Sequence, residues 1–152
     1  MTSSIGTSGS TSASPSAPAS AATAQQSTAD APIAKFGVVV LDTPEPARLA
    51  EFYCALLGYQ VVRNDDDWVS IKGASGPEIC FQLAPDFTAP TWPDNAVPQQ
   101  FHLDVDVPDL DAAEVRVLAI GARATGEPRT PSSFRAYLDP SGHPFCLCLQ
   151  GA

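Results

Sequence analysis

The sequence predicts an α+β domain made of two βαβββ repeats, whose strands form a curved mixed sheet around a cleft. Two observations predict it. The first is a repeated string. Val38-Val39-Val40-Leu41-Asp42-Thr43-Pro44-Glu45 leads into an apolar helical stretch that ends Leu56-Leu57-Gly58. His102-Leu103-Asp104-Val105-Asp106-Val107-Pro108-Asp109 leads into another that ends Ala119-Ile120-Gly121. Pro44 to Pro108 is an offset of 64 positions, and Gly58 to Gly121 an offset of 63. Self-similarity at a fixed offset marks a duplicated supersecondary unit. The second observation is alternation. Leu103, Val105 and Val107 alternate with His102, Asp104 and Asp106; Ile79, Phe81 and Leu83 alternate with Glu78, Cys80 and Gln82; Phe145, Leu147 and Leu149 alternate with Cys146, Cys148 and Gln150. Each strand then has an apolar face for helices and a polar face left over. Two curled halves would enclose a cavity between their polar faces.

The elements follow in chain order. Residues 1–31 are almost entirely Ser, Thr, Ala, Gly, Pro and Gln, with no charge before Asp30. Such a stretch buries too little apolar surface to offset its ordering entropy, so it reads as a disordered tail ahead of a domain over 32–152. It lacks the basic start and continuous apolar core of a signal peptide. The first repeat spans about 34–84. Its opening strand is β-branched, Ala34 to Leu41. Thr43 caps a helix with Pro44 at its first position. Leu49, Phe52, Tyr53, Leu56 and Leu57 supply one apolar face, and Gly58 the left-handed end. Strands at Tyr59–Arg63, Trp68–Lys72 and Glu78–Leu83 complete the repeat. A proline-rich connection, with Pro85, Pro90, Pro93 and Pro98, leads to a second repeat over about 100–150. There Phe101–Val107 is a strand, Asp109 caps a helix carrying Leu110, Ala113, Val117 and Ile120, and short Arg123–Thr125, Phe134–Leu138 and Phe145–Leu149 follow. Asp139-Pro140-Ser141-Gly142 is a turn.

Composition excludes several classes. The net charge is −9, and all eight Lys and Arg lie at Lys35 or later, scattered. Nucleic acid requires clustered cations, so no nucleic-acid partner is expected, nor an anionic membrane face. No apolar run reaches the roughly eighteen residues of a membrane span. The expected location is cytoplasmic, where Cys54, Cys80, Cys146 and Cys148 stay reduced. No glycine-rich phosphate loop and no nucleophile–base pair with supporting spacing is present.

Three strings resemble the vicinal oxygen chelate superfamily, the glyoxalase/bleomycin-resistance/dioxygenase fold, and within it the glyoxalase-like domain. They are Leu49-Ala50-Glu51-Phe52-Tyr53 through Leu56-Leu57-Gly58, Pro98-Gln99-Gln100-Phe101-His102-Leu103-Asp104-Val105, and Asp139-Pro140-Ser141-Gly142-His143-Pro144-Phe145. The resemblance implies one divalent metal in many members, held by the first and last strands of each repeat. Carried over, those positions fall on Val38, Gln82, His102 and Cys146. Valine coordinates nothing, and the remaining amide, imidazole and thiol match neither an oxygen cage nor a two-His-one-carboxylate set. A divalent metal is therefore disfavoured; Gln82, His102 and Cys146 would be its ligands if one bound. The resemblance also implies homodimers in many members.

The candidate cavity residues are Trp68, Gln82, His102, Asp104, Arg135, Tyr137 and Cys146. His102 is a candidate ligand, or a general base on the cavity wall. Asp104, two positions on, would orient its imidazole or raise its pKa, or else stand solvated near the cleft rim. Arg135 and Tyr137 share a strand face that would greet an anionic or aromatic ligand if it looks inward. The expected function is binding of a small organic molecule in the cleft, by sequestration or by metal-free chemistry at His102. The alternatives are a metal-dependent lyase, isomerase or ring-cleaving dioxygenase, and a non-catalytic interaction module.

Overall fold

The computed structural model describes residues 33–126 and 132–151. The chain divides into Met1–Lys35, where residues 33–35 carry no regular element, and Phe36–Ala152, which holds every strand and helix below. The disordered tail expected over 1–31 lies outside the described residues.

Two modules repeat one order. The first runs β1 (Val38–Thr43), α1 (Pro46–Leu57), β2 (Gln60–Asn64), β3 (Trp68–Lys72) and β4 (Glu78–Leu83). The second runs β5 (Leu103–Val107), α2 (Leu110–Ala119), β6 (Arg123–Ala124), β7 (Phe134–Leu138) and β8 (Pro144–Leu149). Each module forms its own four-stranded sheet, ordered β1-β4-β3-β2 and β5-β8-β7-β6. The first and last strands pair in parallel and the rest antiparallel. The α+β class and the two βαβββ repeats are as the sequence predicts; the strands divide into two sheets.

Helix α1 begins later than expected. Thr43 is the last residue of β1, in register with Leu83, and is no helix cap. Pro44 restricts the residue before it to extended backbone, which suits a strand. The helix starts at Pro46, whose missing N–H costs nothing there. The Thr43 hydroxyl instead accepts from the Glu45 N–H (3.1 Å) and meets the Ser141 hydroxyl (2.7 Å) in the other module. Gly58 ends α1 with φ of 70°, and its N–H reaches the Cys54 carbonyl. In the second module Asp109 caps α2 as expected, its carboxylate accepting from the Ala112 N–H at 2.9 Å.

The core lies under α1. Leu49, Ala50, Phe52 and Tyr53 are buried against Ile71, Ile79 and Phe81. Phe52 meets Phe145 of β8 edge-on at 5.8 Å, and Tyr53 stacks on Phe81 at 5.5 Å. The first helix thus packs on both modules. Each fully buried side chain of this size contributes about 1.5–3 kcal/mol.

A polar hub fixes the modules to each other. Asp139 is fully buried at the end of β7. One of its oxygens accepts from the backbone N–H groups of Ser141, Gly142 and His143 at 2.8–3.0 Å. The other meets the Tyr53 hydroxyl at 3.0 Å and His143 Nδ1 at 2.9 Å. A buried carboxylate must be saturated in this way to be tolerated. Burial, then the adjacent carboxylate, pushes the Tyr53 hydroxyl pKa well above its ordinary value, so it stays a donor.

Candidate functional site

Each module leaves a polar face on the side of its sheet away from the helices. The two faces differ. In the first sheet, Val38, Val40 and Asp42 of β1 stand opposite Glu78, Cys80 and Gln82 of β4. Trp68 is paired with Gln82, and Ser70 with Cys80. The Trp68 indole N–H donates to Ser70 Oγ at 2.9 Å, and Arg63 lies over the ring at 5.9 Å. Lys72 pairs with Glu78 at 3.8 Å along the same face.

In the second sheet, Asp104 is in register with Cys146 and Asp106 with Cys148. Parallel pairing places these side chains side by side, because partners in register project to the same face. His102 immediately precedes β5, and its Nε2 lies 3.4 Å from an Asp104 carboxylate oxygen. The ligating atoms of His102, Asp104 and Cys146 all lie within 4.8 Å of one another. His102 and Asp104 are exposed and Cys146 is half-buried, so the group is open to a ligand. Burial, then the negative charge of Asp104, pushes the Cys146 thiol up to about 11. At neutral pH that thiol holds its proton and is a poor nucleophile.

The sequence-predicted residues therefore separate into three places. His102, Asp104 and Cys146 come together. Trp68 and Gln82 stand on the polar face of the other sheet. Arg135 and Tyr137 do not face this way at all, which corrects their assignment to the cleft. Their register puts them beside Leu147 and Phe145, on the helix side. Arg135 is clasped by Asp111 (2.6 Å) and Glu114 of α2, and those hydrogen bonds raise its pKa further, Asp111 contributing most. Tyr137 is buried, with its ring 5.6 Å from that of Phe145. The apolar α2 side chains leave acids at Asp111 and Glu114 to meet β7, and Arg135 answers them. His143 is likewise occupied, held by Asp139 and lying on Phe87 with ring centroids 4.7 Å apart.

Sequence reasoning missed the Asp139 hub. The signal was present in an acid that opens a turn followed by Ser, Gly and His, whose N–H groups converge on it. It also missed a cavity of about 240 Å³ on the helix side of the second sheet, bordered by Leu56, Val105, Ala113, Arg116, Val117 and Ile120.

Among the described residues no helix is long and apolar enough to cross a membrane. No curated protein sequence matches the chain significantly. Solved structures do. A glyoxalase/bleomycin resistance protein/dioxygenase family enzyme from Burkholderia phytofirmans superposes with a TM-score of 0.60 at 19% identity, covering 76% of this chain and 98% of that one. A genomically encoded fosfomycin resistance protein from Listeria monocytogenes gives 0.58 at 16% identity, over 77% and 93%. A bleomycin-binding protein, solved in complex with bleomycin, gives 0.51 at 20% identity, over 77% and 99%. At these identities the likeness is one of fold. The model of the glyoxalase-like domain family matches residues 38–148, and with the paired βαβββ modules this places the chain in that family, within the glyoxalase/bleomycin resistance/dioxygenase fold.

Proposed function

We propose that the protein binds a small organic molecule on the polar face of its second sheet, with His102 as polar anchor or general base. The observation that carries this reading is the convergence of His102, Asp104 and Cys146 on one accessible patch. Asp104 orients the imidazole. The protonated Cys146 thiol supplies a weak donor beside it. Val38 occupies in the first repeat the position that His102 occupies in the second, one offset of 64 away, and offers a ligand only an apolar contact. Trp68 and Gln82, on the polar face of the first sheet, would add aromatic and amide contacts if the ligand spans both modules. Structural relatives that bind small molecules, such as the bleomycin-binding protein, support the reading. The deciding experiment is a thermal-shift screen of aromatic metabolites against the wild type and His102→Ala. The expected result is a stabilising ligand whose effect is lost in the variant while the unliganded melting temperature is unchanged. Equal stabilisation of both proteins overturns it.

One observation favours a second reading, a metal-assisted lyase, isomerase or ring-cleaving dioxygenase. The same three side chains offer an imidazole, a carboxylate and a thiol. This donor set, with Asp104 in place of the expected Gln82, suits a borderline ion such as zinc better than magnesium or calcium. A zinc ion held by His102, Asp104 and Cys146 would polarise a ligand oxygen. All three donors come from one module, whereas Val38 contributes none from the other. The expected finding for purified protein is far less than one divalent metal per chain by elemental analysis. A stoichiometric, chelator-sensitive metal reverses the order of the two readings.

A further inference from the structure

Aligning the two repeats at their offset of 64 sets Leu49 against Ala113, Phe52 against Arg116 and Tyr53 against Val117. In α1 these positions hold three buried side chains, Leu49, Phe52 and Tyr53, that fill the space beneath the helix. In α2 the same positions hold two smaller residues and an arginine. All three of those border the 240 Å³ cavity. The void is thus the place where the second module lacks the filling that the first possesses. Its floor is Val105, Leu147 and the α2 side chains, and Leu56 of α1 closes one side. At about 30 Å³ per water-sized group the volume holds about eight such groups. The cavity is open on one side and its walls are mainly apolar, which suits the apolar body of a small ligand.

Its rim carries one cation. Arg116 is exposed, and among the described residues it makes no ion pair or side-chain hydrogen bond, whereas Arg48, Arg63, Lys72 and Arg135 are all paired. Asp106 also borders the cavity, but it lies in register with Cys148 on the polar face of β5 and β8. A guanidinium above an apolar slot selects an anion with an apolar body.

We infer that the cavity between α1, α2 and the second sheet is a binding site for a small amphipathic carboxylate, its chain of up to about eight carbons beneath Ala113 and its carboxylate on Arg116. This site lies on the opposite side of the sheet from His102 and does not depend on the function proposed above.

The test uses the full chain, sodium octanoate as probe and 1-octanol as its uncharged counterpart, followed by calorimetry and methyl NMR. Octanoate is expected to shift the methyl resonances of Leu56, Val117, Ile120 and Leu147, and to bind about tenfold more tightly than octanol. Arg116→Gln is expected to abolish that preference. Ala113→Leu is expected to weaken octanoate about tenfold or more by occupying the slot. Ala113→Val serves in its place if thermal denaturation shows the leucine variant unfolded. His102→Ala is expected to leave octanoate binding unchanged, which separates this site from the His102 patch. The inference is overturned by absent methyl shifts at millimolar octanoate, by equal affinity for octanol, by wild-type binding in the folded Ala113 variant, or by loss of binding in His102→Ala.

Discussion

The two modules share a topology and divide the labour. Module one invests in packing. Its helix buries Pro46, Leu49, Ala50, Phe52 and Tyr53, and its polar face is largely occupied with itself, through Trp68 with Ser70 and Lys72 with Glu78. Module two is thinly covered. Its helix buries only Leu110 and Val117 and leaves Val115 and Leu118 exposed. It keeps the His102 patch on one face of its sheet and the unfilled cavity on the other. One copy of the duplicated unit thus carries most of the packing, and the other holds a looser core.

The largest test of this division is the Asp139 hub, which ties module two to Tyr53 of the packed helix. The first module's corresponding turn, Gly73 to Pro77, has no acid. Asp139→Ala strands several buried donors at once and is expected to lower stability by about 3 kcal/mol or more, read by chemical denaturation. A loss under 1 kcal/mol would mean the modules do not rely on it.

Next come matched substitutions at one repeat position. Leu49→Ala removes core beneath α1 and is expected to cost about 2–5 kcal/mol. Ala113→Leu fills the opposite void and is expected to be neutral or stabilising by up to about 1 kcal/mol. A destabilised Ala113→Leu would show that the void is not spare volume.

pH gives a smaller effect. Burial, then Glu114, raises the Tyr137 hydroxyl to about 12 from an ordinary 10.0, and the Cys146 thiol stands at about 11 against 9.0. Both groups release protons more easily unfolded than folded. Their contribution to stability is therefore intact below about pH 9 and is lost as pH rises through 11–12. Denaturation midpoints are expected to fall across that window, and Cys146→Ser to remove the lower part of the fall. The smallest effect is expected at His102→Ala, within about 0.5 kcal/mol of wild type, because the side chain is exposed. A larger loss would assign His102 to the fold and not to a ligand.

Much of this was legible in the chain. The offset between Pro44 and Pro108, the alternation of Leu103, Val105 and Val107 with His102, Asp104 and Asp106, and the glycines at 58 and 121 set the topology, since each is a local demand on backbone or burial. The same alternation puts His102, Asp104 and Cys146 on polar faces. The helix start at Pro46 was missed because Thr43 satisfies a strand pairing with Leu83 that lies 40 residues away in the chain.

Sequence alone determined which residues alternate, where helices stop and that the unit is doubled, because these follow from neighbours along the chain. Only the tertiary structure decided which face of β7 looks at α2, and so turned Arg135 and Tyr137 away from His102. It also decided that Asp139 would reach Tyr53, and that Ala113 and Arg116 would border a void. Those outcomes depend on what distant segments bring opposite each side chain, and strand periodicity carries no information about that.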